Sequence, residues 1–327
     1  MIRTVLTGLL AIALLFADSI VQAQQPGKVY HLGYLTNAPA MREDTERIFQ
    51  QALRDLGYIE GKNAVIEWRF SKGRTDELPH LVRELIQAKV ECIVALGIAS
   101  TRAAKQATTA IPIVMGNADD DPVRQGLVSS LARPGGNVTG ITSIASDLAG
   151  KRLEVLKETI PTLSRVAILW DSRSPGGSAH IRESEAIAPK LKLELQHADI
   201  RSSKQLDEAF QTLVNTKIGA LVIVTTGMLN SHRAQVISLA VQKRLPAIYT
   251  NPSYVPAGGL MSYADDRAAR MRRVAKFVDK ILKGAKPADL PVERPTKFEL
   301  MINLKSAQQI GLTIPPNVLA RADRVIR

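Results

Sequence analysis

Three stretches decide the fold class: Val90-Glu91-Cys92-Ile93-Val94-Ala95-Leu96, Gly97-Ile98-Ala99-Ser100-Thr101, and Ile111-Pro112-Ile113-Val114-Met115. Cys92 to Leu96 is continuously apolar, too short for a stable helix, and suited to a strand covered on both faces. A short alanine-rich helix opens at Ser100 or Thr101, and Ile111 to Met115 is a strand again. Strands alternating with helices predict a parallel sheet joined by right-handed crossovers.

The same alternation extends outward from this core. Before it, Val29 to Thr36 reads as a buried strand. A helix follows, with Ile48, Ala52, Leu53 and Leu56 on one face and Gly57 as its stop. Asn63 to Phe70 is extended, with Ala64, Ile66, Trp68 and Phe70 on one side, and the next helix carries Leu78, Leu81, Val82, Leu85 and Ile86. After the turn Gly135-Gly136-Asn137, Val138 to Ile144 reads as an extended crossing, and a second series begins. Leu148 to Ile160 is helical; Arg165–Trp170, Leu193–Ile200, Ala220–Val224 and Ala247–Thr250 are strands. Leu260 to Ala264 is extended, Asp266 to Leu282 is a helix stopped by Gly284, and Pro287, Pro291 and Pro295 stiffen a connector. Phe298, Leu300 and Ile302 then alternate in a strand. The expected fold class is α/β, with two doubly wound parallel-sheet lobes joined by a three-segment hinge. Residues 24–140 with 259–291 form lobe one, and 141–258 with 292–327 form lobe two, with a ligand cleft between them.

The N-terminus carries Arg3, the apolar run Val5 to Ala17, and Val21-Gln22-Ala23, the three parts of a secretory signal peptide. Residues 1–23 are therefore read as removed after Ala23, which places the mature chain in the periplasm. The whole chain has 327 residues, one cysteine and a formal net charge of +12; it is 45% hydrophobic and 23% charged. That composition excludes a disordered chain and a disulfide scaffold. Cys92, inside its apolar run, reads as a buried strand residue. The densest basic cluster is Arg267, Arg270, Arg272, Arg273 and Lys276, on a helix poor in aromatics. It reads as a solvated helix face rather than a nucleic-acid surface. Asp119-Asp120-Asp121 reads as an acidic run at a helix start rather than a metal site. The five histidines lack metal-ligand spacing, and no nucleophile elbow is present, so no metal, cofactor or catalytic residue is expected.

The stretch Val278-Asp279-Lys280-Ile281-Leu282-Lys283-Gly284-Ala285-Lys286-Pro287-Ala288-Asp289-Leu290-Pro291-Val292-Glu293 runs on through Pro295-Thr296-Lys297-Phe298-Glu299-Leu300. With Ile302-Asn303-Leu304-Lys305 and Gly311-Leu312-Thr313-Ile314-Pro315, it closely resembles the C-terminal signature of the TrpX-like ABC transporter substrate-binding proteins. Ile111–Val114 and the run Leu131 to Gly140 resemble further blocks of that family. The resemblance covers essentially the whole exported chain. It implies a type I periplasmic binding protein fold whose lobes close on a small solute, and docking on a membrane permease driven by a separate ATPase. It also implies an amino-acid-like ligand, aromatic amino acids included.

In open α/β sheets ligands sit beyond the carboxyl ends of the strands, and helix starts there favour anions. The strand-to-helix loops of lobe one thus offer Tyr34, Thr36, Asn37, Gly97, Ser100, Thr101 and Asn117. Ser100 and Thr101 suit a carboxylate, or cap the helix, or do both. Lobe two offers Trp170, Asp171, Thr225-Thr226 and Asn251 to Tyr254, of which Thr226, Asn251 and Tyr254 complete the expected set. Asp171 either pairs with a ligand ammonium or holds a turn. Trp170, Tyr34 and Tyr254 are placed to stack on an aromatic or apolar ligand, and for Trp170 the alternative is packing in the core. The function expected is a monomeric receptor of an ABC importer that binds its solute unchanged. The alternative is a periplasmic sensing subunit for a membrane signalling partner.

Overall fold

Strands and helices alternate through the computed structural model, which describes residues 28–38, 43–117, 121–142, 148–173 and 175–327. The first five strands are β1 (Tyr30–Thr36), β2 (Ala64–Phe70), β3 (Cys92–Leu96), β4 (Ile113–Asn117) and β5 (Val138–Gly140). They form one parallel sheet in the order β2-β1-β3-β4-β5. Its side chains alternate between two buried clusters. Leu32, Tyr34, Cys92 and Val94 face one layer, and Leu35, Ile93 and Ala95 face the other. Burial on both faces explains why these strands read as unbroken apolar runs. It also pushes the Cys92 thiol up to about 12, so it stays a protonated core residue.

The second sheet comprises β6 (Arg165–Trp170), β7 (Glu194–Asp199), β8 (Ala220–Ile223), β9 (Ala247–Tyr249), β10 (Met261–Asp265), β11 (Phe298–Asn303) and β12 (Arg324–Ile326). Their order is β12-β11-β10-β9-β8-β6-β7. All neighbours are parallel except β10 and β11. β12 is an edge strand that the sequence pattern did not reveal.

The chain passes between the sheets three times. Gly140–Thr142 and Glu293 pair in the first and third crossings, with Glu293 N–H on the Gly140 carbonyl (2.9 Å) and Thr142 N–H on the Glu293 carbonyl (3.0 Å). The second crossing, at Asp265–Arg267, joins the third where Asp266 N–H meets the Lys297 carbonyl (3.0 Å). The sequence boundary placed this crossing near 258 and gave 259–291 to lobe one. Instead β10 pairs with β9 and β11, so residues 261–265 belong to the second sheet and the crossing follows Asp265. The Gly258-Gly259 pair is a turn ahead of β10 rather than the crossing itself.

Beyond it, the Arg267–Leu282 helix buries Met271, Val274, Ala275, Phe277, Val278 and Ile281 against the first lobe, beside the Glu43–Asp55 helix. Tyr58 ties it down by a hydroxyl on the Asp279 carboxylate (2.9 Å). The basic cluster on this helix is a solvated face only at Arg272 and Lys276. Arg270 pairs with Asp265, and Arg273 makes a two-pronged contact with Glu293, so these guanidiniums clamp the crossings. Among the described residues, no helix is long and apolar enough to cross a membrane.

Candidate functional site

Both lobes turn the carboxyl ends of their parallel strands toward the hinge. Gly140 ends β5 and leads into the first crossing, while Asp265 ends β10 and leads into the second. The two carboxyl edges therefore oppose one another across the crossings. β11 enters the second sheet from that same edge, which is why it runs antiparallel to β10.

On the first lobe, register sets Thr36, Leu96 and Asn117 side by side. Gly97 follows Leu96 with φ at 90°, a left-handed conformation that glycine adopts without a Cβ penalty, and donates its N–H to the Asn117 carbonyl (2.8 Å). Thr36 accepts the Ala38 N–H at its hydroxyl (3.2 Å), and the Asn37 side-chain amide oxygen accepts the Ser71 hydroxyl. The helix opens two or three residues earlier than the sequence pattern suggests: it runs Ile98–Ala107 with Gly97 as its cap residue. Ser100 and Thr101 thus lie inside its first turn and do not cap it. The Thr101 hydroxyl donates back to the Gly97 carbonyl (2.9 Å). The Ser100 hydroxyl is fully buried and, among the described residues, has no hydrogen-bond partner. Buried polar atoms seldom lack a partner, which sets this group apart from its neighbours.

On the second lobe, the polar groups are mostly bonded to one another. Asp171 is buried, accepts the Arg173 N–H (3.0 Å), and receives two guanidinium hydrogen bonds from the same residue (2.9 and 2.6 Å). Arg173 thereby holds its carboxyl below the usual range, against the opposing effect of burial. Of the two expected roles, the turn aspartate is the one these bonds describe. Asp199 beside it takes both the N–H and the hydroxyl of Ser172 (2.9 and 2.8 Å). Thr226 caps the Gly227–Ser231 helix by accepting the Leu229 N–H (3.3 Å), while the hydroxyl of neighbouring Thr225 is buried with no partner among the described residues. Asn251 accepts from Ser253 N–H (3.1 Å) and from Arg267 (2.7 Å), and donates to Asn230 (3.3 Å). Arg267 opens the helix that belongs to the first lobe, so this bond spans the crossing.

Of the three aromatic candidates, two are core residues and the third, Trp170, is half-buried. Tyr34 is fully buried; its ring lies 4.6 Å from Trp68 and 5.6 Å from Phe49, and its hydroxyl donates to Glu46 (3.3 Å). Tyr254 is also fully buried, stacked on Tyr249 at 4.6 Å with its hydroxyl on the Leu229 carbonyl (2.8 Å). Trp170 packs against the second lobe's core, and so closely on Gly177 that a Cβ there would lie 2.9 Å from its ring. Of the acidic run, Asp119 and Asp120 lie outside the described residues; Asp121 accepts the Val123 N–H (2.9 Å) in a local turn. Sequence reasoning missed Ser71, Asn230, Arg173 and Arg267. Ser71 was legible as the first residue past a strand. The roles of the other three depend on partners that spacing does not reveal.

Comparison with known proteins agrees with this architecture. A family model described as ABC transporter substrate binding protein matches residues 35–326. A Clostridioides difficile protein named a tyrosine-binding protein is 27% identical over 272 residues, covering 83% of this chain and 77% of its own. A conserved domain protein from Vibrio cholerae superposes with a TM-score of 0.82 at 26% identity, covering 92% of this chain and 100% of that one. An ABC domain from Streptococcus pneumonia, solved in complex with L-Trp, superposes with a TM-score of 0.81 at 25% identity, covering 91% and 100%. Two parallel-sheet lobes, three crossings and opposed strand edges, together with a match over nearly the whole described chain, place this protein in the family of ABC transporter substrate binding proteins.

Proposed function

We propose that the chain is the exported receptor of an ABC importer and captures a small amino-acid-like solute, aromatic amino acids included, between its lobes. The observation that carries this reading is the Ser100 hydroxyl, buried and unpartnered in the first turn of a helix whose start lies on the hinge-facing edge. A ligand carboxylate there gains one hydroxyl and the unpaired N–H groups of the helix start. The relatives named for tyrosine and crystallised with L-Trp support the amino-acid class. Closure of the lobes buries the solute, stabilised by its higher affinity for the closed form, and the closed receptor docks on a membrane permease with its ATPase. The solute leaves chemically unchanged. In this reading the signal peptide, residues 1–23, sends the chain to the periplasm.

Mass spectrometry of the ligand carried through native purification, followed by titration calorimetry with tyrosine, tryptophan and leucine, tests the proposal. An amino acid recovered intact after denaturation, and bound again on titration, is the expected result. A chemically altered product, or no binding to any of the three, overturns it.

A further inference from the structure

Phe70 ends β2, in register with Thr36 on the hinge-facing edge. Paired residues of a parallel sheet point to the same face, and Tyr34 and Trp68 demonstrate it, with ring centroids 4.6 Å apart. Phe70 stands on that face two residues further along. Its ring lies nearly parallel to that of Trp68, at 11° with centroids 6.5 Å apart. Trp68 packs against the first lobe's core; Phe70 is half-buried and, among the described residues, belongs to neither of that lobe's hydrophobic clusters. Next to it, Ser71 bonds Asn37, so the ring sits beside the polar groups of the candidate site.

A large aromatic at a strand tip, braced from behind by a second ring and left out of the core, has a face to offer. We propose that Phe70 is the platform on which the solute's aromatic ring stacks, and that it sets the preference for aromatic over aliphatic ligands. Tyr34 and Trp68 act through it: their packing fixes the plane of the platform. This inference rests on the receptor reading above and assigns the site's apolar specificity, as Ser100 assigns its carboxylate contact.

Calorimetry on the full chain, with tyrosine, tryptophan and leucine as probes, tests it. In Phe70→Leu, which keeps the apolar bulk and removes the ring, affinity for tyrosine and tryptophan is expected to fall about tenfold, the size of a ring-on-ring contact. Leucine affinity is expected to stay within about threefold, well inside one such contact. Phe70→Trp should restore aromatic binding. Equal losses for all three probes, or unchanged tryptophan affinity in Phe70→Leu, overturns the platform while the receptor reading stands. A wild-type chain that binds leucine but neither aromatic overturns the platform alone. A wild-type chain that binds none of the three overturns both. As a second readout, phenylalanine should shift the emission of Trp68 in a Trp170→Phe background, and Phe70→Leu should abolish that shift. An emission unmoved by bound phenylalanine counts against the platform.

Discussion

The two edges that meet at the hinge are built differently. On the first lobe the Ser100 hydroxyl is sealed and unbonded, and Gly97 exposes the start of a ten-residue helix. On the second lobe Asp171, Asp199 and Asn251 are already held by Arg173, by Ser172 and by Arg267. A group with unfilled bonding capacity gains by meeting a ligand, whereas a carboxylate with its bonds made must give some up; the second lobe holds both kinds, since the Thr225 hydroxyl and the Trp170 indole N–H are buried without a partner among the described residues. Under the receptor reading proposed above, the first lobe's Ser100 captures the solute's carboxylate and the second lobe closes over it.

The hardest test of this asymmetry falls on the hinge. Gly140 has φ at 122°, and a Cβ there would collide with the Met115 backbone. Gly140→Ala should destabilise the chain by roughly 3 kcal/mol, combining a disallowed backbone with a backbone clash, as urea unfolding would measure. A change under about 1 kcal/mol, smaller than the strain of one such residue, would show the first crossing to be pliable.

Ser100→Ala separates capture from folding. It deletes a hydroxyl that makes no bond in the protein, so stability should hold or rise slightly, while amino-acid affinity falls about tenfold. A loss of stability with unchanged affinity would reverse the assignment of roles between the lobes.

Asp266 gives a smaller, pH-dependent effect. Burial raises its pKa, but the Ala269 N–H and Lys297 outweigh burial, so the carboxyl titrates below its ordinary value. A depressed carboxylate stabilises the fold above its unfolded pKa, and that contribution disappears as pH falls through the folded one. Asp266→Ala, which removes a helix cap, should therefore cost about 1 kcal/mol at neutral pH. The difference from wild type should vanish once the solution is acidic enough to protonate the native carboxyl; thermal melts across that range measure it.

Asp171→Ala should have the least effect on binding. As a turn aspartate paired with Arg173, it should alter amino-acid affinity by less than about threefold and stability by no more than about 1 kcal/mol. A tenfold loss of affinity in calorimetry would return Asp171 to the ligand as an ammonium partner.

Much of the fold was legible because parallel strands covered on both faces leave short apolar runs, and Cys92–Leu96 or Ala220–Ile223 fit nothing else. The hinge boundary was displaced because Gly258-Gly259 imitates a crossing, while the short β10 declares its sheet only through pairing with β9 and β11. Near the hinge-facing edge, the positions of Gly97, Asn37 and Asn117 were readable, since they follow or end strands. Side-chain roles were not. Tyr34 and Tyr254 sit near strand tips like plausible ligand contacts, yet they are claimed by Trp68 and Leu229, partners 34 and 25 residues away in the chain. Arg267 looked like one more cation on a wet helix until its bond to Asn251 linked the lobes.

The third crossing is bonded to both of the others, through Glu293 on one side and Lys297 on the other. A torque applied to one connection is therefore passed to the others. In the receptor proposed above, closure is expected to turn the lobes about one shared axis. Distance labels on opposite lobes should then report two discrete separations along one arc rather than a broad spread.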